Sequence, residues 1–279
     1  MARDGELNSQ KLDEIAAHYA SGYEADRLNM GAGQLDRERS RELMGRFLPA
    51  APATVFDIGG GPGGHACWLA ARSYQVHLVD ITPIHVELAR QASARQPQTP
   101  LASAQVGDAR GLPFGDAIAD AVVLFGPLYH LTDRADRLHA LREAHRVLRR
   151  GGVLLAAAIS RFASALDGLR QGFLKDTQFA DIVRQDLADG RHRNPTGRPE
   201  YFMDAFFHHP DQLRDEVAEV GFTAVRVYGV EGPGWLVPDF DAWWGNDQYR
   251  DRLLQLARAL ESEPSLLAVS AHLVAVATR

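Results

Sequence analysis

Ten residues, Val55-Phe56-Asp57-Ile58-Gly59-Gly60-Gly61-Pro62-Gly63-Gly64, constrain this chain more than any others. A short β-branched and aromatic run ends in glycines, and a periodic stretch over 65–73 follows at once. That order predicts a buried strand over 53–58, a tight turn, and a helix opening directly from it. The alternation then continues. QVHLVD at 75–80 predicts a second strand, and a helix over 84–95 starts from Thr82-Pro83, a cap followed by proline in the first turn. Strands follow over 102–106, 119–124 and 153–159. An amphipathic helix over 134–148 is expected to stop at Gly151-Gly152, a C-cap signal. Strand and helix in regular alternation imply a parallel sheet with helices on both faces.

Beyond residue 160 the alternation breaks. Residues 161–209 are polar, helical in places, and carry the loop GRHRNPTGRP at 190–199. They are expected to form a lid or acceptor region inserted after the fifth strand. A helix over 210–220, a strand over 222–230, a helix over 249–260 and a strand over 271–277 complete the chain, the last two strands pairing next to the fifth. Residues 11–48 look helical, with a polar break near 29–33. The expected organisation is an N-terminal helical lid over 1–48, a core over 53–160, the insertion over 161–209, and the C-terminal part of the sheet over 210–279. The fold class is α/β, a doubly wound, mostly parallel, seven-stranded sheet with helical lid insertions.

The glycine loop fits two spacings. Gly59, Gly61 and Gly64 match G-x-G-x-x-G, the dinucleotide pattern. Gly59, Gly61 and Gly63, with Asp57 upstream, match the methyltransferase pattern D-x-G-x-G-x-G. In both, amides at a helix N-terminus face the ligand. Asp80 ends the second strand, about 20 residues on, where a carboxylate can accept from both ribose hydroxyls. Taken alone, it also suits a solvated strand-end acid. Asp108, in GDARGLPF after the third strand, discriminates. It can accept from an adenine amino group, and a nicotinamide-dependent oxidoreductase leaves it unexplained. No Tyr-x-x-x-Lys signature of such an enzyme is evident.

Taken in order, FDIGGGPGG, LVDIT, GDARGLPF, DAVVLFGPLYHL and RVLRRGG resemble class I S-adenosylmethionine-dependent methyltransferases of the small-molecule, ubiquinone-biosynthesis-like type. The resemblance is strong over 53–160 and looser through the last two strands. It implies a Rossmann-like cofactor-binding core, S-adenosyl-L-methionine as cofactor, methyl transfer to an oxygen or nitrogen of a small-molecule acceptor, and a last strand antiparallel beside the fifth. Carried onto this sequence, it implies cofactor contacts for Asp57, Gly59, Gly61, Gly63, Asp80, Ile81, Asp108, Ala109, Phe125 and Leu128. The block HYASGYEADRL sets Tyr19, Tyr23 and Arg27 at i, i+4 and i+8 on one helical face. Similar blocks in the family fold over the cofactor. Tyr23 and Arg27 are therefore expected at the cofactor, Arg27 opposite its carboxylate, and Tyr19 at the acceptor. An amphipathic packing helix with Arg27 in a surface ion pair is the alternative.

In doubly wound sheets the ligand crevice lies at the carboxyl ends of the strands. FGPLYHL at 125–131 follows the fourth strand, which puts Tyr129 and His130 against the acceptor as candidate catalytic residues. Histidine titrates in the range needed to take a proton from a hydroxyl or ammonium. A structural hydrogen-bonding role at a helix start is the alternative for His130. His208 and Trp235 are further acceptor candidates. Trp235 lies in a loop, 231–247, that also holds Trp243 and Trp244. No Cys, Asp or Glu stands at a zinc spacing around His208-His209, so no metal is expected. A catalytically silent cofactor-binding chain is a third possibility, and a pocket plugged by those tryptophans would reveal it.

Composition bounds the partners. A formal net charge of −6 over 279 residues lacks the basic excess of a nucleic-acid binder. One cysteine, Cys67, allows no intramolecular disulfide. The apolar run VLLAAAI at 153–159 is too short to span a bilayer, and MARDGELNSQKLDEIAAHYA has no apolar signal core. The expectation is a cytoplasmic protein with no membrane partner, as a monomer or homodimer.

Overall fold

The computed structural model describes residues 28–279. At the centre of the sheet lie β1 (Thr54–Ile58), β4 (Ala119–Leu124) and β5 (Leu148–Ser160), whose carboxyl halves are buried almost throughout. Strands covered by helices on both faces need such continuous apolar runs. β2 (Gln75–Asp80) and β3 (Ser103–Val106) extend the sheet on one side, giving the parallel order β3-β2-β1-β4-β5. On the other side β9 (His272–Thr278) runs antiparallel to β5, and β8 (Thr223–Gly229) antiparallel to β9. These are the seven expected strands, with the last beside the fifth.

Two further strands bring the described sheet to nine. β6 (Arg191–His192) and β7 (Ala205–His208) form an antiparallel pair. β7 then joins the end of β5 in parallel through Ile159↔Phe207 and Ser160↔His208. The run AFFH is four residues long, too short for a period-2 pattern to stand out in sequence.

α1 (Gly33–Phe47), α2 (Gly64–Ala70) and α3 (Pro83–Ala94) cover one face of the sheet, burying Leu43, Met44, Leu69 and Val86. A one-turn helix, α4 (Pro127–His130), precedes α5 (Arg134–Val147). α6 (Ala163–Gln171) and α7 (Thr177–Asp189) belong to the insertion, whose small core is Phe179, Ile182, Val183 and Tyr201. α8 (Pro210–Glu219) joins α5 on the second face through Leu141, Val147, Leu213 and Val217. Each fully buried leucine in these layers contributes about 1.5–3 kcal/mol. α9 (Phe240–Gly245) and α10 (Asp247–Leu260) close the C-terminal half. No described helix is long and apolar enough to cross a membrane.

Two features of this frame position the site. α1 is tied down by the buried Arg39, whose Nε donates to the Val230 carbonyl at 3.2 Å and whose guanidinium also pairs with Glu42 and Glu261. Arg46 adds two bonds to Glu261, at 2.5 and 2.9 Å. The second feature corrects an expectation. α5 ends at Val147, and the chain enters β5 directly, with Leu148 already extended. Gly151 (φ +79°) and Gly152 lie inside β5, where the register to β4 shifts between Ala119 and Ala121. These glycines bend a strand and do not cap a helix.

Candidate active site

The carboxyl ends of β1, β2, β4 and β5, with the start of β9, surround a cavity of about 800 Å³ roofed by α1. A chamber of this size accommodates a nucleoside cofactor with a small second ligand. The glycine loop forms its floor. At Gly59 (φ +75°) a Cβ would lie 2.5 Å from Pro127 Cδ and 2.8 Å from the Phe125 carbonyl oxygen, so only glycine fits between the β1 and β4 turns. A Cβ on Gly61 would meet nothing within 4 Å, because that residue faces the open cavity.

Two carboxylates converge behind the loop. Asp80 accepts from the Gly61 amide at 2.8 Å through Oδ2, and through Oδ1 from the Thr82 amide at 2.8 Å, with His85 Nδ1 at 3.3 Å. This fixes the carboxylate at the rim while it still faces the cavity. Asp57 is buried, and its Oδ2 has no hydrogen-bond partner. Burial, and next the Asp80 charge, push its carboxyl up to about 7 against the Ala66 amide that donates to it. An orphaned buried oxygen in the cavity wall suits a ligand that brings a donor or a positive charge.

Ile81, Ala109 and Phe125 also line the chamber. Asp108 does so with an unforeseen partner. Arg110 grips both carboxylate oxygens, with Nε at 3.1 Å from each and Nη2 at 2.6 Å from Oδ2, and its Nη1 reaches Asp136 at 2.9 Å. Burial opposes ionisation of Asp108, but the Arg110 bonds and charge prevail and lower its pKa. The signal was legible as an arginine two residues on in GDARG.

Four expected contacts are corrected. Gly63 (φ +88°) is not in the wall. Its Cβ position is 3.0 Å from Ala89 Cβ, so this glycine lets α2 and α3 approach closely. Leu128 is wholly buried in the core, because the single turn of α4 directs it inward while Pro127, Tyr129 and His130 face the cavity. His208 is also wholly buried, at the end of β7, with Nε2 3.3 Å from Glu216 and away from the chamber. Trp235 too is packed elsewhere, its indole donating to the Val269 carbonyl at 2.9 Å. Neither Trp243 nor Trp244 lines the cavity, so no tryptophan plugs it. The insertion contributes no lining residue. α1 contributes Asp36, Arg37, Ser40 and Arg41. Tyr19, Tyr23 and Arg27 lie outside the described residues.

The chamber also holds Tyr129 and His130, with ring centroids 4.7 Å apart. It also holds a constellation that sequence reasoning missed. His272 opens β9 and lines the chamber, its Nδ1 2.5 Å from Glu231 Oε1. The buried Glu231 accepts further from the Ser270 hydroxyl at 2.7 Å and the His272 amide at 3.0 Å. Asp36 Oδ2 stands 3.7 Å from the same Nδ1. The three ligand atoms lie within 4.8 Å of one another, a spacing a cation could use, but Glu231 and His272 are already joined by a hydrogen bond. In sequence, Asp36, Glu231 and His272 are spread over more than 230 residues, and no motif connects them.

Comparison with known proteins places this geometry. Residues 56–156 match the family described as a methyltransferase domain. The UbiE ubiquinone/menaquinone biosynthesis C-methyltransferase of Bordetella avium is 30% identical over 230 residues, covering 80% of this chain and 84% of that protein. The chain belongs to the class I S-adenosylmethionine-dependent methyltransferases. The O-methyltransferase cnsE of Penicillium expansum is 30% identical over 154 residues, 54% of this chain. The chain spans 55% of cnsE and 61% of another curated UbiE relative. A solved S-adenosylmethionine-dependent methyltransferase from Methanosarcina mazei shares the fold, with a TM-score of 0.55 at 21% identity over 85% of this chain and 96% of that one. Within this methyltransferase family the cofactor is S-adenosylmethionine. The open face at Gly61, the rim carboxylate of Asp80 and the orphaned oxygen of Asp57 fit its nucleoside and its cationic end.

Proposed function

We propose that the chain transfers the methyl group of S-adenosylmethionine to an oxygen or nitrogen of a small-molecule acceptor. The observation that supports this most is one chamber in which the Gly61–Asp80 edge meets Tyr129, His130 and His272. In the proposed arrangement Asp80 accepts from the ribose hydroxyls. Asp108 and the Ala109 backbone face the adenine, and Ile81 and Phe125 pack on it. Asp57 faces the amino group. Bound S-adenosylmethionine supplies an electrophilic methyl on a sulfonium, so alignment and exclusion of water lower the barrier most.

The acceptor proton passes to an imidazole. Glu231 holds the Nδ1–H of His272, which makes Nε2 the basic nitrogen. His130 is the alternative base. α1, which roofs the chamber, is the described part of the proposed N-terminal lid. Carbon methylation is the second possibility, which the likeness to UbiE C-methyltransferases favours. Incubation with methyl-labelled donor and a panel of phenols, amines and quinols, followed by NMR of the product, tests both. A labelled methyl on oxygen or nitrogen is expected. A methyl found only on carbon would replace the proposal with its alternative, and absence of S-adenosylhomocysteine binding beside micromolar NAD binding would overturn it.

A further inference from the structure

We propose that Arg137 is a positioning residue for the acceptor: its buried guanidinium clasps the chamber wall at Leu131 and Thr132 and so fixes Tyr129 and His130. This rests on the placement of the acceptor beside those two side chains proposed above. Residues 129–133 all line the chamber. Their own scaffold is slight. α4 is a single turn, closed by the Leu131 amide donating to the Pro127 carbonyl at 3.0 Å, and one isolated helical turn is not stable by itself. The wall is therefore held from behind. Leu128 anchors it in the core, and Tyr129 packs on the cluster of Ile159, Ala205 and Phe207. The backbone that follows is held by Arg137, whose Nη1 donates to the Leu131 and Thr132 carbonyls at 3.0 Å each.

The guanidinium divides its edges between two tasks. Nε and Nη2 donate to the two Glu216 carboxylate oxygens at 2.9 and 2.7 Å, a bidentate pair that joins α5 to α8. The Phe206 ring of β7 has its centroid 3.6 Å from the guanidinium carbon, and His208 Nε2 stands 3.3 Å from Glu216. An ion pair between two helices needs only the first edge. The second edge faces consecutive carbonyls of the chamber wall. A planar fork serves both at once, whereas a lysine ammonium, a point charge, cannot hold the carboxylate and both carbonyls together. The insertion, which supplies no lining residue, thus bears on the site through β7. A displacement of about 1 Å at reacting groups costs on the order of a hundredfold in rate, so a wall this lightly built gains from such a clasp.

The test separates the clasp from the ion pair. Glu216→Gln removes the counter-charge but leaves Nη1 able to hold the carbonyls. Arg137→Met/Glu216→Gln removes the clasp as well, without leaving a buried charge. Each folded variant is assayed with methyl-labelled donor and any phenol, amine or quinol that the wild type turns over, and by calorimetry with S-adenosylhomocysteine. In the double variant kcat/KM for the acceptor is expected to fall about ten- to a hundredfold, while S-adenosylhomocysteine affinity holds. Glu216→Gln, although less stable, should keep most of its kcat/KM. An equal loss in both variants, or a parallel loss of S-adenosylhomocysteine affinity, would reduce Arg137 to a packing role. Wild-type kinetics in the double variant beside a raised acceptor KM in His130→Ala would overturn the clasp alone, and unchanged kinetics in both would overturn the acceptor placement with it. If the double variant fails to fold, Arg137→Lys, which keeps a charge opposite Glu216 and loses the fork, takes its place. If no acceptor is turned over, hydrogen exchange decides: faster exchange confined to residues 125–133 is expected in the variant, and unchanged exchange there would overturn the proposal.

Discussion

Burial, and next the Asp80 charge, hold the Asp57 carboxyl well above the usual carboxylate range, at about 7. An acid whose folded pKa stands above its unfolded value binds more protons when folded. The Asp57 contribution to the stability of the ligand-free protein should therefore fall as pH rises from about 4 to about 7, by at most about 1.4 kcal/mol per pH unit. Urea unfolding across that window should show this slope in the difference between the wild type and Asp57→Asn. A difference that does not change with pH would show that Asp57 does not titrate in this window. The imidazoles permit a second test at this scale. If His272 is the base, His272→Ala should lower kcat by about 10²–10⁴-fold with S-adenosylhomocysteine binding nearly unchanged, while His130→Ala chiefly raises the acceptor's KM. The reverse pattern would make His130 the base. Single residues were read unevenly from sequence. Asp80 lies at the expected rim because a strand end is a local property. Leu128 was misplaced because one residue of rotation in a single helical turn exchanges core for cavity.

Among the elements, β7 ends in a buried electrostatic cluster. The buried Arg137 of α5 reaches Glu216 of α8 at 2.7 and 2.9 Å, and His208 of β7 completes the cluster. Burial opposes ionisation of Glu216, but the bonds to Arg137 and His208 prevail and bring it to about 2. Burial lowers the His208 pKa. Both shifts have the same sign, because the unfolded chain binds more protons. Their stability is present at neutral pH and is lost as pH falls, first below the ordinary histidine range and then between 4.5 and about 2. Glu216→Gln leaves Arg137 buried without its counter-charge and should cost about 3–5 kcal/mol in urea unfolding. The double variant with Arg137→Met should lose less than the sum of the two single changes. Additive losses would show that the pair is not coupled. Nothing in the sequence announced this cluster. The helix expected over 210–220 does begin at Pro210, capped by His209, whose side chain accepts from the Asp211 amide. His208, one residue earlier, is the last of a strand.

For the molecule as a whole, the decisive measurement is ligand-linked stability. S-adenosylhomocysteine at a hundred times its dissociation constant should stabilise the fold by about 2.7 kcal/mol, and NAD at equal concentration should not. A thermal shift with NAD alone would contradict the cofactor assignment. The difference between what was legible and what was not follows from range. Hydrophobic periodicity, glycine turns and strand-end carboxylates are local, and by themselves they determined the seven-strand succession, the glycine floor and the rim acid at Asp80. Short runs fall below the resolution of periodicity, so β6 and β7 emerged only when β5 offered an edge to pair with. The roof of the chamber and the His272–Glu231–Asp36 constellation were decided by tertiary structure alone. They depend on β9 inserting antiparallel beside β5 and on Arg39 fastening α1 over that end of the sheet, and no spacing along the chain records which side chains such a closure brings within hydrogen-bond reach.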